Sequence, residues 1–322
     1  MGSGLLLAVG RRVASMLVTL FGVAIVIFLI LRVLPGDAVT ASLGVSAGLL
    51  TPAQLAALNR FYGIGQPPVE QFVSWLGALL GGNLGVSLAA RVPVATLIGA
   101  ALPVTLELAV LAMVLGLLIG VTFGVLGALR PGRLADDMGQ AVAIVGLGVP
   151  SFIIGTGLVT FLASTFHYFP SSLGYVEFLQ NPWLNFQQVF FPALTLSLGI
   201  GAAIMRTTRA AVLEVTSLNF VRTARGKGLS PALVAWRHIL PNALVPIVTM
   251  SGIQLGYLLG GTVIIEQIFV LPGLGRLLVT SINNRDFPVV QSITVLFAFS
   301  FVAVNMLTDV LYTIIDPRTR AR

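Results

Sequence analysis

A basic, water-soluble segment interrupts the apolar second half of the chain: Asn219-Phe220-Val221-Arg222-Thr223-Ala224-Arg225-Gly226-Lys227-Gly228-Leu229-Ser230-Pro231. Apolar runs flank it, from Phe190 to Met205 before it and from Ala243 to Ile265 after it. Because charged side chains are costly inside lipid, we expect this segment to be a loop between two membrane-buried helices. It is too short to form a core of its own, so it is either idle or docked in a groove on a partner.

The composition of the whole chain is that of a membrane protein. Hydrophobic residues make up 57% of the 322 residues and charged residues only 9%, whereas an ordinary soluble domain carries about 25% charge. The net charge of +7 comes from residues spread between apolar runs, which argues against a nucleic-acid-binding face. The absence of cysteine excludes disulfides and thiolate metal sites, and the two histidines, His167 and His238, are too far apart in sequence to indicate a metal site.

Six apolar segments are long enough to cross a bilayer, which takes about 20 residues. The predicted spans are residues 13–34, 103–129, 138–166, 190–213, 242–265 and 289–315. The predicted extracytoplasmic parts are residues 35–102, which should contain short helices, 167–189 and 266–288. The predicted cytoplasmic parts are residues 1–12, 130–137, 214–241 and 316–322. The first span is longer than the apolar core of a signal peptide, about 7–15 residues, so we expect it to be retained.

The arginine and lysine residues predict the orientation of these spans. With the N-terminus in the cytoplasm, thirteen of the eighteen fall on the inner side, where short basic loops stay. The thirteen are Arg11, Arg12, Arg130, Arg133, Arg206, Arg209, Arg222, Arg225, Lys227, Arg237, Arg318, Arg320 and Arg322. Both termini and the basic segment are therefore expected to be cytoplasmic.

Two further patterns are candidates for packing or function within the spans. Glycines repeat every four residues in the second span (Gly116, Gly120, Gly124) and in the fifth (Gly252, Gly256, Gly260), a spacing that lets helix backbones approach closely in lipid. Acidic residues within or beside spans are candidates for a functional role by default. Glu107 and Asp309 are predicted either to have such a role or to pair with an arginine or a backbone donor near the interface. Glu266 either lines a pathway through the membrane or is an interfacial cap, and Pro150 is either a hinge or a static kink.

Two motif matches carry little weight. Gly44-Val45-Ser46-Ala47-Gly48 fits the nucleophile-elbow pattern, but it falls in a predicted loop without the strand, helix and histidine that this chemistry requires. Gly226-Lys227 lacks the remainder of a phosphate-binding loop, because Val221 and Gly228 stand where that loop has Gly and Ser or Thr. The chain is therefore not expected to bind ATP by itself.

The basic segment also resembles a known one. Arg222-Thr223-Ala224, followed by Gly228 and by Leu240-Pro241, is similar to the EAA loop of ATP-binding-cassette (ABC) importer permeases, in the dipeptide, oligopeptide and nickel branch. Similar motifs occur along nearly the whole chain: Leu31 to Asp37, Leu102 to Leu108, Val149 to Phe152, Phe191 to Thr195, Gly273 to Arg276 and Asn284 to Gln291. The general signature of the loop opens with Glu, whereas this chain has Arg222, so no role for a carboxylate is expected there.

The resemblance implies an all-α, polytopic protein with six transmembrane helices in the type I ABC importer permease fold (MetI-like transmembrane domain). Its closest form is the peptide permease B-type subunit, which translocates di- and oligopeptides across the cytoplasmic membrane by alternating access. The implied partners are a second permease, two ABC ATPase subunits and an extracytoplasmic substrate-binding protein. ATP and Mg²⁺ would be bound by the ATPases, so this chain would be a transport subunit without a catalytic residue, a cofactor or a metal of its own.

On the same resemblance, the loop transmits the movement of the ATPases to the spans. The residues implied in this coupling are Asn219, Phe220, Arg222, Thr223, Ala224, Arg225, Gly226, Lys227, Gly228 and Leu229. Gly226 and Gly228 would permit a sharp turn. Import of nickel or another small solute stays open, because sister permeases are similar in sequence. A self-sufficient secondary transporter is the alternative from another class, but it would be expected to show internal repeats and midplane charges, and neither is evident here.

Overall fold

The computed structural model describes residues 2–33, 51, 53–54, 66–168 and 174–315. Within these ranges the regular structure is helical, apart from one isolated antiparallel bridge between Val86 and Pro93. The chain forms two compact units: Met1–Val104 with Pro272–Val302, and Thr105–Leu271 with Ala303–Arg322. A helical protein is expected here, because a helix pairs its own backbone N–H and C=O groups where lipid offers no partner.

We number the helices in chain order. They are α1 (Gly2–Val33), α2 (Pro68–Leu80), α3 (Val94–Leu129), α4 (Leu134–Gly148), α5 (Ser151–Phe166), α6 (Pro182–Thr216), α7 (Asn219–Gly226), α8 (Pro231–Val234), α9 (Leu240–Ile268), α10 (Leu274–Asn283) and α11 (Phe287–Ile315). A π-helical turn, Ala235–Ile239, joins α8 to α9.

Four of the described helical stretches are long and apolar enough to cross a membrane: Val94–Leu129, Pro182–Thr216, Pro231–Leu258 and Phe287–Thr308. The bent pair α4 and α5 is a fifth if it counts as one span, and α1 contains a shorter apolar stretch, Ala14–Ile30. The limits of the six predicted spans stay predictions. The predicted tail and most of residues 35–65, including the Gly44 to Gly48 motif, lie outside the described residues.

The third predicted span is not one straight helix. α4 ends at Gly148, α5 begins at Ser151, and the two helices are bent by 103°. Proline explains the break, because it has no N–H to continue the helix and it disfavours helical backbone in the residue before it. Val149 is accordingly extended, with φ −98° and ψ 120°. Pro150 therefore caps the start of a new helix and does not kink a continuous one.

The second unit is built around α6, which is the most buried of the candidate spans. The predicted glycine stripe of α3 packs against it in register. A Cβ added at Gly120 would lie 2.7 Å from the Ile204 side chain and 2.8 Å from the Gly201 carbonyl oxygen. Gly116 and Gly124 make equally close approaches, to Ile200 and to Thr208 respectively. The close approach predicted from the four-residue spacing is therefore present along three successive turns.

A second helix reaches the same α6 in the same way. On α4, a Cβ at Gly146 would lie 2.7 Å from the carbonyl oxygen of Leu198, and a Cβ at Gly139 would lie 2.6 Å from the terminal methyl of Met205. The predicted stripe of α9 is less uniform. A side chain at Gly252 would collide with Thr308, whereas Gly260 has open space around it. The helix α6 is thus contacted at backbone distance by two helices, α3 and α4.

The first unit has its own core. Phe28 on α1 contacts Phe72 and Trp75 on α2, with ring centroids 5.2 and 6.1 Å apart. α3, α10 and α11 meet in a buried apolar cluster. Its buried members are Val94, Ile98, Ala101, Leu274, Val289 and Ile293.

We expect Gly120→Ala to destabilise the protein by about 1–3 kcal/mol, the usual range for overpacking, because the added methyl would overlap a backbone carbonyl that has no rotamer to change. The matched control is Gly99→Ala on the same helix, where a Cβ meets nothing within 4 Å. The measurement is thermal unfolding of the purified protein in detergent. Equal unfolding temperatures for the two variants would show that the contact between α3 and α6 does not limit stability.

Candidate functional site

The predicted coupling segment begins as an amphipathic helix. α7 starts at Asn219, directly after α6 ends at Thr216. Val221 and Ala224, three residues apart and hence on one face, are buried. The other face is exposed, and it carries the side chains of Phe220, Arg222, Thr223 and Arg225. The helix is therefore fixed to the protein by one face and presents a basic face, with one aromatic ring, to its surroundings.

The turn after α7 depends on one of the two predicted glycines. Gly228 has φ +79°, a left-handed conformation that glycine adopts without strain, and its N–H donates to the carbonyl of Arg225 at 2.9 Å. Gly226 is the last residue of α7 and its φ is not positive. Ser230 then caps the next helix by accepting from the N–H of Leu233 at 3.4 Å.

The π-helical turn between α8 and α9 extends the exposed surface of α7. Ala235 and Ile239, in the π-helical turn, are buried, whereas Trp236 between them is 72% exposed. Phe220 on α7 is 42% exposed. Exposed aromatic side chains beside arginines are typical of protein interfaces. We call residues 219–239 the coupling segment.

Glu107 joins a polar cluster on the second unit. Its carboxylate accepts from the Tyr175 hydroxyl at 2.7 Å and from the Asn185 side-chain amide at 3.1 Å. Burial and the Glu107 carboxylate raise the pKa of Tyr175 above its usual 10.0, so this hydroxyl stays a donor at neutral pH. The Glu107 carboxylate thus accepts from a phenol and an amide, and the role of Glu107 in the pathway stays a prediction. Gln188 holds the same loop by accepting from the N–H of Val176 at 2.9 Å.

The other three pathway candidates lie in different places. Glu266 is fully buried in the last turn of α9 and accepts from the Thr105 hydroxyl at 2.8 Å, and its role stays a prediction. Pro150 stands at the bend between α4 and α5. Asp309 is on α11, but its side chain is outside the described part of the structure.

Two buried carboxylates escaped the sequence analysis. Asp286, only 2% exposed, accepts from the Ser87 hydroxyl and from the N–H groups of Leu88 and Ala89, at 3.1 and 3.3 Å. It therefore fixes the turn between Val86 and Pro93. The only signal in the sequence was the family-like motif from Asn284 to Gln291, which gave no partner.

The second is Asp136, in the first turn of α4, which is 1% exposed. Arg209 on α6 donates to both of its oxygens, from Nε at 2.7 Å and from Nη2 at 3.0 Å. Both residues belong to a basic cytoplasmic side in the orientation analysis, but nothing in the sequence paired them, because they lie seventy-three positions apart. Within the described residues no group of three His, Cys, Asp or Glu side chains could hold a metal ion.

Comparison with known proteins decides the family. Residues 120–321 match the model of the family described as binding-protein-dependent transport system inner membrane component, and residues 5–109 match the model of its N-terminal part. The chain belongs to this family of inner membrane transport components. It is thus a permease subunit of an ABC importer and not an enzyme, as the resemblance implied.

Curated relatives cover almost the whole permease. A probable peptide ABC transporter permease protein of Sinorhizobium fredii is 40% identical over 312 residues, 96% of this chain and 98% of that protein. A putative peptide transport system permease protein of Brucella abortus is 40% identical over 310 residues, with the same coverage. The glutathione transport system permease protein GsiC of Escherichia coli is 36% identical over 312 residues, 96% of this chain and 97% of that protein.

Solved structures bear on the fold of the permease. Two crystal forms of the MetNI methionine ABC transporter, described as inward facing, match with TM-scores of 0.52 and 0.55 at 20% identity. Each match covers 68% of this chain and 96% of the other. The predicted all-α type I importer permease fold is therefore confirmed. At this identity the likeness concerns the fold alone.

Proposed function

We propose that this permease imports di- or oligopeptides, and that the coupling segment transmits the work of partner ATPases to its membrane helices. The cargo rests on the relatives, two of which are named for peptides and one for glutathione at 36–40% identity over 96% of the chain. Nickel or another small solute is the remaining alternative for the cargo. Family membership decides against a self-sufficient secondary transporter.

The observation that carries the coupling role is the geometry of α7. Val221 is fully buried and Ala224 is 6% exposed, so the helix is fixed to the second unit and does not swing freely. Its exposed face presents Arg222 and Arg225, followed by Lys227. A short helix that is held on one face and presents two arginines and the ring of Phe220 on the other fits a groove on a soluble partner, because arginine and aromatic side chains are enriched at protein interfaces. We assign that groove to an ABC ATPase subunit.

The proposed complex contains this chain, a second related permease, two ABC ATPase subunits and an extracytoplasmic substrate-binding protein. ATP and Mg²⁺ bind to the ATPases. Closure of the ATPase pair pushes on the coupling segments, and the membrane helices alternate between inward-open and outward-open states. The complex lies in the bacterial cytoplasmic membrane, with both termini of this permease and its coupling segment in the cytoplasm.

We expect Gly228→Val to leave the permease inserted but to reduce the amount of peptide imported per ATP hydrolysed. A side chain in this left-handed position costs about 1–2 kcal/mol, and relief of the strain moves α7 relative to its support. The control is Gly99→Val on α3, outside the coupling segment, where φ is not left-handed and a Cβ meets nothing within 4 Å. The ratio is measured in proteoliposomes, and normal peptide uptake by Gly228→Val would contradict the lever model.

The cargo is tested on the complex that copurifies with this permease. We expect ATP-dependent, saturable uptake of a radiolabelled di- or tripeptide into proteoliposomes when the binding protein is added, and no uptake of Ni²⁺. The control omits ATP. Uptake of Ni²⁺ without uptake of peptide would show that the cargo is a metal ion. Transport by this chain without any partner would overturn the ABC mechanism.

Orientation is tested with Lys227, the only lysine of the chain and an exposed one. We expect a membrane-impermeant amine reagent to label the permease in inverted vesicles but not in intact spheroplasts. The control is Lys227→Arg, which keeps the charge and leaves only the N-terminal amine to react. Labelling of Lys227 in intact spheroplasts would place the coupling segment outside, where no cytoplasmic ATPase could reach it.

A further inference from the structure

The carboxylate of Asp136 accepts hydrogen bonds from several parts of the second unit. Arg209 donates to both oxygens at 2.7 and 3.0 Å. The N–H of Gly132 donates to Oδ2 at 3.0 Å, and the side-chain amide of Gln140 donates to Oδ1 at 3.1 Å. The carboxylate therefore receives four donors from three parts of the chain: the turn after α3, helix α4 and helix α6.

The surrounding backbone leaves room for this carboxylate. Gly132 has φ +71°, the left-handed conformation in which its N–H points at Asp136. Near the end of α3, a Cβ added at Gly127 would lie 2.9 Å from Oδ1 of Asp136. Glycines at both positions thus allow the turn to close over the carboxylate, and they bring the end of α3 into the same network.

This ion pair differs from the surface pairs that contribute little to stability. Asp136 is 1% exposed and Arg209 is 27% exposed, and a bidentate contact between guanidinium and carboxylate fixes orientation as well as distance. In such a pair, removal of one partner leaves a buried charge uncompensated, whereas removal of both does not. The geometry is thus that of a rigid connection.

The pair is also close to the coupling segment along one continuous helix. Arg209 lies seven residues before the end of α6 at Thr216, which is about 10 Å at the rise of an α-helix. The coupling segment begins three residues later, at Asn219. Arg209 is therefore closer to α7 along the helix than Met205, which contacts Gly139. A force on α7 reaches the ion pair before it reaches that contact.

We infer that Asp136 and Arg209 are positioning residues for transport: their ion pair holds α6 against the first turn of α4, so that these two helices move with the coupling segment as one body. The inference rests on the proposed coupling function. It assigns a role in transmission to two residues outside the coupling segment itself. Without the ion pair, the cytoplasmic end of α6 could shift against α4 and absorb the movement.

The decisive variants weaken the ion pair between Asp136 and Arg209 while the protein stays assembled. Arg209→Lys retains the charge but replaces the planar, two-atom contact by a single ammonium group. The double variant Asp136→Asn with Arg209→Gln removes both charges together, so neither is left unpaired. The control is Asp137→Asn, next to Asp136 in sequence but exposed.

The readout is the number of peptide molecules imported per ATP hydrolysed by the reconstituted complex, together with its yield and unfolding temperature. We expect Arg209→Gln alone, which leaves the buried Asp136 carboxylate without its cation, to lower the yield, and the double variant to recover the yield but not the ratio. We expect the ratio to fall several-fold in Arg209→Lys and to be unchanged in Asp137→Asn. A wild-type ratio in Arg209→Lys or in the double variant would overturn the inference and leave the pair with a purely structural role.

A failure of the peptide assignment is distinguishable from a failure of the inference about the ion pair. If the wild-type complex imports no peptide, only the cargo is wrong. The effect of the ion pair on coupling is then measured as the increase in ATP hydrolysis when the binding protein is added. This measurement does not require the cargo to be known. Wild-type stimulation in Arg209→Lys would again overturn the inference, and reduced stimulation at normal yield would support it.

Discussion

The close contact of α6 with two glycine-bearing helices is the constraint on which the second unit depends. In lipid, apolar side chains gain little by leaving one apolar environment for another, so helices associate through packing at short distance. Gly116, Gly120 and Gly124 on α3 allow that distance along one face of α6, and Gly146 on α4 allows it along another. α6 therefore has little freedom to rotate or slide alone.

The same helix has a second task, because the coupling segment follows directly from its end. A helix that is packed at backbone distance along several turns transmits a push better than one held by flexible side chains, since close-packed interiors yield little. The proposed path of force is therefore short. It runs from α7 into α6, and from α6 into α3 and α4 through the glycine contacts and the Asp136 network.

The sequence predicted the features that depend on local pattern. Four-residue glycine spacing indicated a close helix contact along α3 without naming its partner, and the basic break in an apolar run indicated a polar loop with a glycine break. The coupling role of that loop came from the resemblance and stays a prediction. The sequence did not predict what depends on distant residues or on backbone direction. The pairing of Asp136 with Arg209, and of Asp286 with Ser87, joins positions far apart in the chain. The bend at Pro150 was visible as a proline but not as a 103° change of direction.

Glycines and carboxylates have different structural roles in this protein. Glycines set the distances between helices, where a polar group would be costly to bury in lipid. Three carboxylates fix the connections instead: Glu107 holds the loop at Tyr175, Asp136 holds the turn at Gly132, and Asp286 holds the turn at Ser87. Asp136 and Asp286 lie at connections, where backbone N–H groups are available as donors, whereas Glu107 lies within α3 and accepts from the side chains of Tyr175 and Asn185. A charge near a helix end thus orders the adjoining loop without placing an unpaired ion in the apolar interior. For this reason Asp136 and Asp286 are explained by the connections that they hold, whereas a role of Glu107 or Glu266 in the transport pathway stays a prediction.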